Sequence, residues 1–288
     1  MIRVFPRRTN ATPTDELSFV GDPPLFLPPK QPVRVSITFN WDLAEGERLA
    51  RSWARYFPDV QAGGPAYGDP GDEFVPGRFV KEGMVFTSRG CPGRCAHCFI
   101  PAREGAIREV PIRDGWDICD NNLLACSRSH VEAVFDMLSR QNRRPRFSGG
   151  IEAARLERWS AQGIPPLNPS CVWTAYDRPE QRGVTEKAID TLRSYGLTRR
   201  QVGCYILIGT PWDTLPAAEA RLREAWNWGA LPFAMLYRGP KDHHREIEWR
   251  RLQRRWCRPA VMFSAIQASL IEEPAMQTEG GDDSARGA

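Results

Sequence analysis

No stretch of this 288-residue chain offers the run of about 18 apolar residues that a membrane-spanning helix needs. Mean hydropathy is −0.47, and no membrane partner is expected. The first ten residues carry Arg3, Arg7 and Arg8 and none of the apolar stretch of a secretory signal, so a cytoplasmic location is expected. Lysine is nearly missing: Lys30, Lys81, Lys187 and Lys241 stand among 39 basic residues. Histidine is as scarce, with His97, His130, His243 and His244 and none earlier. No segment repeats another. What remains is globular material, 41% hydrophobic and 26% charged, in one large domain or one domain with appendages; it is too long for a disulfide-stapled mini-fold. A net charge of +4 permits an anionic partner without demanding one.

Residues 1–32 hold Pro6, Pro13, Pro23, Pro24, Pro28, Pro29 and Pro32, which predicts an irregular or extended arm. Residues 33–80 open as a β-α-β unit. Val33, Val35, Ile37 and Phe39 alternate with polar residues as a strand. Leu49, Trp53 and Tyr56 fall at helical spacing, and residues 60–66 form a short strand ending in a Gly-Gly turn. From residue 83 to 240 strand and helix signals alternate. Strands are expected at 84–87, 116–119, 146–147, 171–175, 202–208 and 232–237. Helices are expected at 129–140, with Ser129 as cap, and at 156–162, 185–195 and 216–228. Six strands separated by helical crossovers predict an α/β fold with a parallel sheet or partial (β/α)6 barrel, its chemistry at the carboxyl ends of the strands. A basic helical extension is expected over 241–271 and a disordered acidic tail over 272–288.

Cysteine is where the chemistry gathers. Of the eight, Cys91, Cys95 and Cys98 crowd into TSRGCPGRCAHCFIP (87–101), directly after a strand. In a reducing compartment such crowding signals metal or catalysis before disulfides. Three thiolates spaced C-x3-C-x2-C suit three irons of a [4Fe-4S] cube, leaving the fourth iron open. Gly90 and Gly93 let the backbone fold tightly around it. Zinc is the competing reading. It prefers four closed ligands, and no second Cys/His pair completes a set; His97, wedged between two of the cysteines, would strain the geometry. The other five, Cys119, Cys126, Cys171, Cys204 and Cys257, lack ligand spacing. Those on or beside strands are expected as small core residues, with Cys204 as a possible hydrogen-atom donor if it faces a cavity.

The C-x3-C-x2-C loop after the first strand of a six-unit (β/α) chain resembles the radical S-adenosylmethionine superfamily, over residues 83–240. The resemblance implies a [4Fe-4S] cluster held by Cys91, Cys95 and Cys98, with S-adenosyl-L-methionine on the open iron. It further implies a 5′-deoxyadenosyl radical that abstracts a substrate hydrogen, and a reductant such as flavodoxin or ferredoxin. By position, Asp120 and Asn122 stand where the family binds the methionine amino group. Gly150 and Glu152 line the site after strand three, Asp177 ends strand four, and Gly209 belongs to an adenine-binding turn after strand five. His97 departs from the aromatic residue usual before the last cysteine. The unit at 33–80 resembles the last piece of a cobalamin-binding domain, but no Asp-x-His-x-x-Gly signature is present, so no cobalamin is expected.

Two arginine-dense segments bear on substrate. One is Arg140, Arg143, Arg144 and Arg146; the other spans 245–258, with Arg250, Arg251, Arg254 and Arg255 beside Trp249 and Trp256. Such a helix could grip phosphates and stack on bases, or could be a solvated face with both Trp packed inward. The whole layout resembles compact radical S-adenosylmethionine proteins of bacteriophages and prophages that act in thymidine hypermodification. That implies isomerisation of an N-linked to a C-linked glycinylthymidine in viral DNA. RNA or small-molecule modification is the alternative enzyme reading, and a metal-containing nucleic-acid-binding module the non-enzyme one.

Overall fold

The computed structural model describes residues 1–69, 74–238 and 246–264. Four short strands begin the fold: Ile2–Phe5 (β1), Ser18–Val20 (β2), Val33–Ser36 (β3) and Val60–Gly63 (β4). They form one parallel sheet in the order β2-β1-β3-β4. The strand β1 is buried at every residue because it has a neighbour on each side. Helix α1, Leu43–Ala54, lays Leu49 and Trp53 onto Ile2, Val4, Val33, Val35 and Ile37. Residues 33–63 are therefore the expected β-α-β unit. Residues 1–32 are not simply an irregular arm: they supply the two strands that complete its sheet. Each proline of this segment lies outside the strands, so it bounds them without removing a ladder hydrogen bond.

The larger part contains β5 (Met84–Val85), β6 (Ser88–Arg89), helix α2 (Ile100–Glu104), β7 (Arg108–Glu109), β8 (Asp117–Ile118), α3 (Arg128–Ser139), β9 (Arg146–Phe147) and α4 (Arg158–Gly163). It continues with β10 (Cys171–Ala175), α5 (Arg182–Ser194), β11 (Val202–Ile208), α6 (Leu215–Asn227), β12 (Leu231–Leu236) and α7 (Ile247–Trp256). Six of these strands pair in chain order, β5-β8-β9-β10-β11-β12, and every pair is parallel. The protein is thus α/β with parallel sheets. The strand pair β6–β7 is antiparallel and brackets the cysteine loop. Helix α3 is capped by Ser127, whose hydroxyl accepts from the His130 N–H, two residues earlier than the expected Ser129. No helix among the described residues is long and apolar enough to cross a membrane.

The strand β11 separates the two faces of the sheet. Val202, Cys204, Ile206 and Ile208 join Ile189, Leu192, Ala218 and Leu222 in the main core. Tyr205 alternates to the opposite face. There Trp173 lies over Gly203, where an added Cβ would come within 2.4 Å of the indole. The indole stacks on Tyr205 at 4.2 Å, and Phe233 meets both edge-on. Helix α7 turns Trp249 and Trp256 into the core. Its indoles therefore cannot serve as a base-stacking platform, and Arg250, Arg251, Arg254 and Arg255 meet solvent together with Ile247 and Glu248. Residue 245 and the tail from 272 lie outside the described residues.

Candidate functional site

The cysteine loop runs between β6 and β7 and is clamped at both ends by buried carboxylates. Asp120 is fully buried at the carboxyl end of β8. It accepts from the Thr87 N–H at 2.6 Å, the Thr87 hydroxyl at 2.6 Å and the Ser88 hydroxyl at 2.7 Å. Burial raises its carboxyl above the ordinary range, opposed by these donors. Asp120 thus anchors the strand that enters the loop and is not open to a ligand, contrary to its expected role at a methionine amino group. The second clamp is Glu104, a residue no motif marks. It accepts from the Gly90 N–H at 3.1 Å, from Asn121 Nδ2 at 2.6 Å and from Arg103 at 2.5 Å. Burial works to raise its carboxyl, but the Arg103 guanidinium and the Gly90 N–H hold it below the usual value. Gly90 itself has φ +78°, and a Cβ there would sit 2.1 Å from the Ala106 carbonyl oxygen. Only glycine fits where the two ends of the loop cross.

Within the loop the backbone wraps the sulfurs. The Gly93 N–H donates to Cys91 Sγ at 3.3 Å. A Cβ on Gly93 would lie 3.3 Å from Cys91 Sγ, tighter than an ordinary contact, and 3.9 Å from Cys95 Sγ, in ordinary contact. Burial raises the Cys95 thiol, helped by Cys98, Asp177, Cys91 and Glu152 around it; burial likewise raises Cys98. All eight cysteines are free thiols. Among the described residues no three His, Cys, Asp or Glu side chains gather closely enough to hold one metal ion. A cube asks for a wider set, because each thiolate sits on a different iron.

The strand ends supply the polar surroundings. Asn122 donates from Nδ2 to Cys91 Sγ at 3.6 Å and to Glu152 Oε2 at 2.7 Å. Its Oδ1 is buried without a hydrogen-bond partner. Glu152 also accepts from Arg155 at 2.6 Å. Asp177 accepts the Leu207 N–H at 2.8 Å, and its other oxygen stands 3.4 Å from His97 Nε2. His97 thus reaches across the loop to the end of β10, while its Nδ1 is buried and unpartnered. Gly150 and Gly209 both have positive φ, 90° and 73°, and turn the chain after β9 and β11. Asn122, Glu152 and Asp177 are therefore brought to the cysteines, and Gly150 and Gly209 shape the neighbouring turns.

Cys204 does not belong to this group. It is fully buried in the core shared with α5 and α6, and burial drives its thiol strongly upward. The expected hydrogen-donor role fails because the side-chain period of a strand sends Cys204 to the face away from Tyr205. Cys119 and Cys171 take the other face. Both are near enough to Tyr205 to influence its phenol, together with Arg146 and Asp117. Burial pushes their thiols up to about 12 and about 11. The chain matches no protein-family model and no curated protein sequence.

Proposed function

We propose that this chain is a radical S-adenosylmethionine enzyme built on a partial (β/α)6 barrel, with Cys91, Cys95 and Cys98 holding a [4Fe-4S] cluster. The observation that carries the reading is the Gly93 cradle. A loop with three thiols, an N–H aimed at one sulfur and a glycine whose added Cβ would crowd Cys91 Sγ at 3.3 Å stands at the carboxyl ends of a sequential six-stranded parallel sheet. When bound, the cluster and S-adenosyl-L-methionine together supply a hydrogen-abstracting carbon radical. The residues of the chain do the rest. Asn122 offers its unpartnered Oδ1 as an acceptor for an ammonium group beside Cys91, and Glu152 orients that amide. Asp177 and His97 close the other side of the loop. The Trp173–Tyr205–Phe233 slab excludes water from the inner face of the sheet.

For the substrate we propose an amino-acid-bearing thymidine in DNA, isomerised from its N-linked to its C-linked form. The exposed arginine face of α7 is the phosphate-directed feature that supports a DNA partner. Anaerobic reconstitution tests the enzyme reading: about four irons per chain and 5′-deoxyadenosine formed after reduction are expected. Each of Cys91→Ser, Cys95→Ser and Cys98→Ser should lose the iron chromophore while melting like wild type. One zinc per chain and no turnover of S-adenosylmethionine would sink it. Mass spectrometry of nucleosides from DNA carrying the N-linked precursor tests the substrate separately.

A further inference from the structure

A cavity of about 320 Å³ opens between the carboxyl ends of β3 and β4 and the outer side of the cysteine loop. Ser36 and Gly63 floor it, Phe74 and Phe86 form an apolar wall, and Arg89 and Arg103 enter from the loop. Its position outside the carboxyl ends of parallel strands is where open α/β sheets bind ligands. Its size falls at the small end of ligand sites.

The charges on its rim are not equivalent. Arg34 is matched by Asp59 at 2.9 Å, and Arg103 by Glu104 at 2.5 Å. Glu104 is further occupied by Gly90 and Asn121. Arg89 is different. Its guanidinium lies 3.9 Å over the Phe86 ring, which is itself packed edge-on by Phe74 at 5.0 Å. Its Nε is buried with no hydrogen-bond partner, and no carboxylate among the described residues bonds its fork. Glu104, Asp120 and Asp69 lie near enough to act on its charge, yet none of them hydrogen-bonds it, so this half-buried guanidinium against a ring keeps a fork that a ligand can complete. The fork matches a carboxylate or phosphate with two parallel N–H···O bonds.

We propose that this cavity is a binding site for a small organic anion, a carboxylate or phosphate carried on an aromatic or apolar body. Arg89 takes the anionic group and the Phe74–Phe86 wall takes the body. The site is separate from the one assigned to the cluster, because nothing in it depends on iron or S-adenosylmethionine.

Calorimetric titration of the full-length protein with phenyl phosphate and with benzoate tests this. Inorganic phosphate and benzyl alcohol serve as controls. Saturable one-to-one binding of an aromatic anion is expected, at least tenfold tighter than either control, and the two probes distinguish phosphate from carboxylate. Arg89→Gln should weaken it at least tenfold. A measurement on the unaltered chain guards against a variant that does not fold. Phenylglyoxal labelling of Arg89, read by peptide mass spectrometry, should slow severalfold with the bound probe while labelling of Arg251 does not change. Absence of binding by both aromatic anions, undiminished binding to a folded Arg89→Gln, or unprotected Arg89 would each overturn the proposal.

Discussion

Replacing Asp120 with alanine removes the one acceptor of three buried donors at the entrance of the cysteine loop. Thr87 and Ser88 are both fully buried, so water cannot substitute. The Thr87 N–H cannot reorient, and leaving it unpaired costs about 1–3 kcal/mol; the two hydroxyls, which can rotate, add about 1 kcal/mol each. The expected loss is about 3–5 kcal/mol. Asp120→Asn keeps an oxygen for the Thr87 N–H and lets the hydroxyls turn to accept from the amide, so its cost should be about 1–2 kcal/mol. Urea unfolding followed by circular dichroism reads both. With a slope of about 3 kcal/mol per molar urea, the alanine midpoint should fall by about 1–1.7 M and the asparagine midpoint by about 0.3–0.7 M. An alanine variant that unfolds at the wild-type midpoint but no longer binds S-adenosylmethionine would refute the anchoring argument and return Asp120 to the ligand.

Cys204→Ala should lower stability by about 1–2 kcal/mol, as a small core truncation, and leave 5′-deoxyadenosine and product yields unchanged; a stable variant that loses product would show that the thiol reaches the reacting face. Asn122→Ala should weaken S-adenosylmethionine at least tenfold in equilibrium dialysis with iron content unchanged, and an equal loss of iron would make Asn122 a determinant of the cluster instead. Glu104 predicts a pH dependence. Its carboxyl is lower in the folded chain than its ordinary value of 4.5, so the unfolded chain binds more protons and the stabilisation is complete above that value. It is lost as pH falls below it. The stability gap between wild type and Glu104→Gln should therefore be wide at about pH 7 and shrink progressively as the pH falls below 4.5; a constant gap would contradict the assignment.

Much of the larger sheet was legible because strands such as Cys171–Ala175 and Val202–Ile208 are apolar runs bounded by turn residues. The same property hid the side on which Cys204 falls: a strand apolar at nearly every position carries no alternation to read. The strand Ile2–Phe5 was obscured by proline density that lies beside it and not in it. The cysteine loop could be read from local spacing. Its clamps could not, because Asp120 finds its donors more than thirty positions earlier and Glu104 sits in a stretch without a motif. Asp120 looked like a ligand because a carboxylate at a strand end carries no sign of whether its partner is protein or substrate.

The two clamps also set an order of assembly. Glu104 and Asp120 draw their hydrogen-bond partners from residues 87–121, and closing loops that short costs little chain entropy. Asp177 and Gly209 reach the same end of the sheet from far along the chain. On a chain emerging from its N-terminus, every residue that shapes the cysteine half is therefore available before β10 exists. The half formed by β10 and β11 comes only with closure of the whole sheet. Damage to the C-terminal strands would strip that second half while sparing the connections of the first.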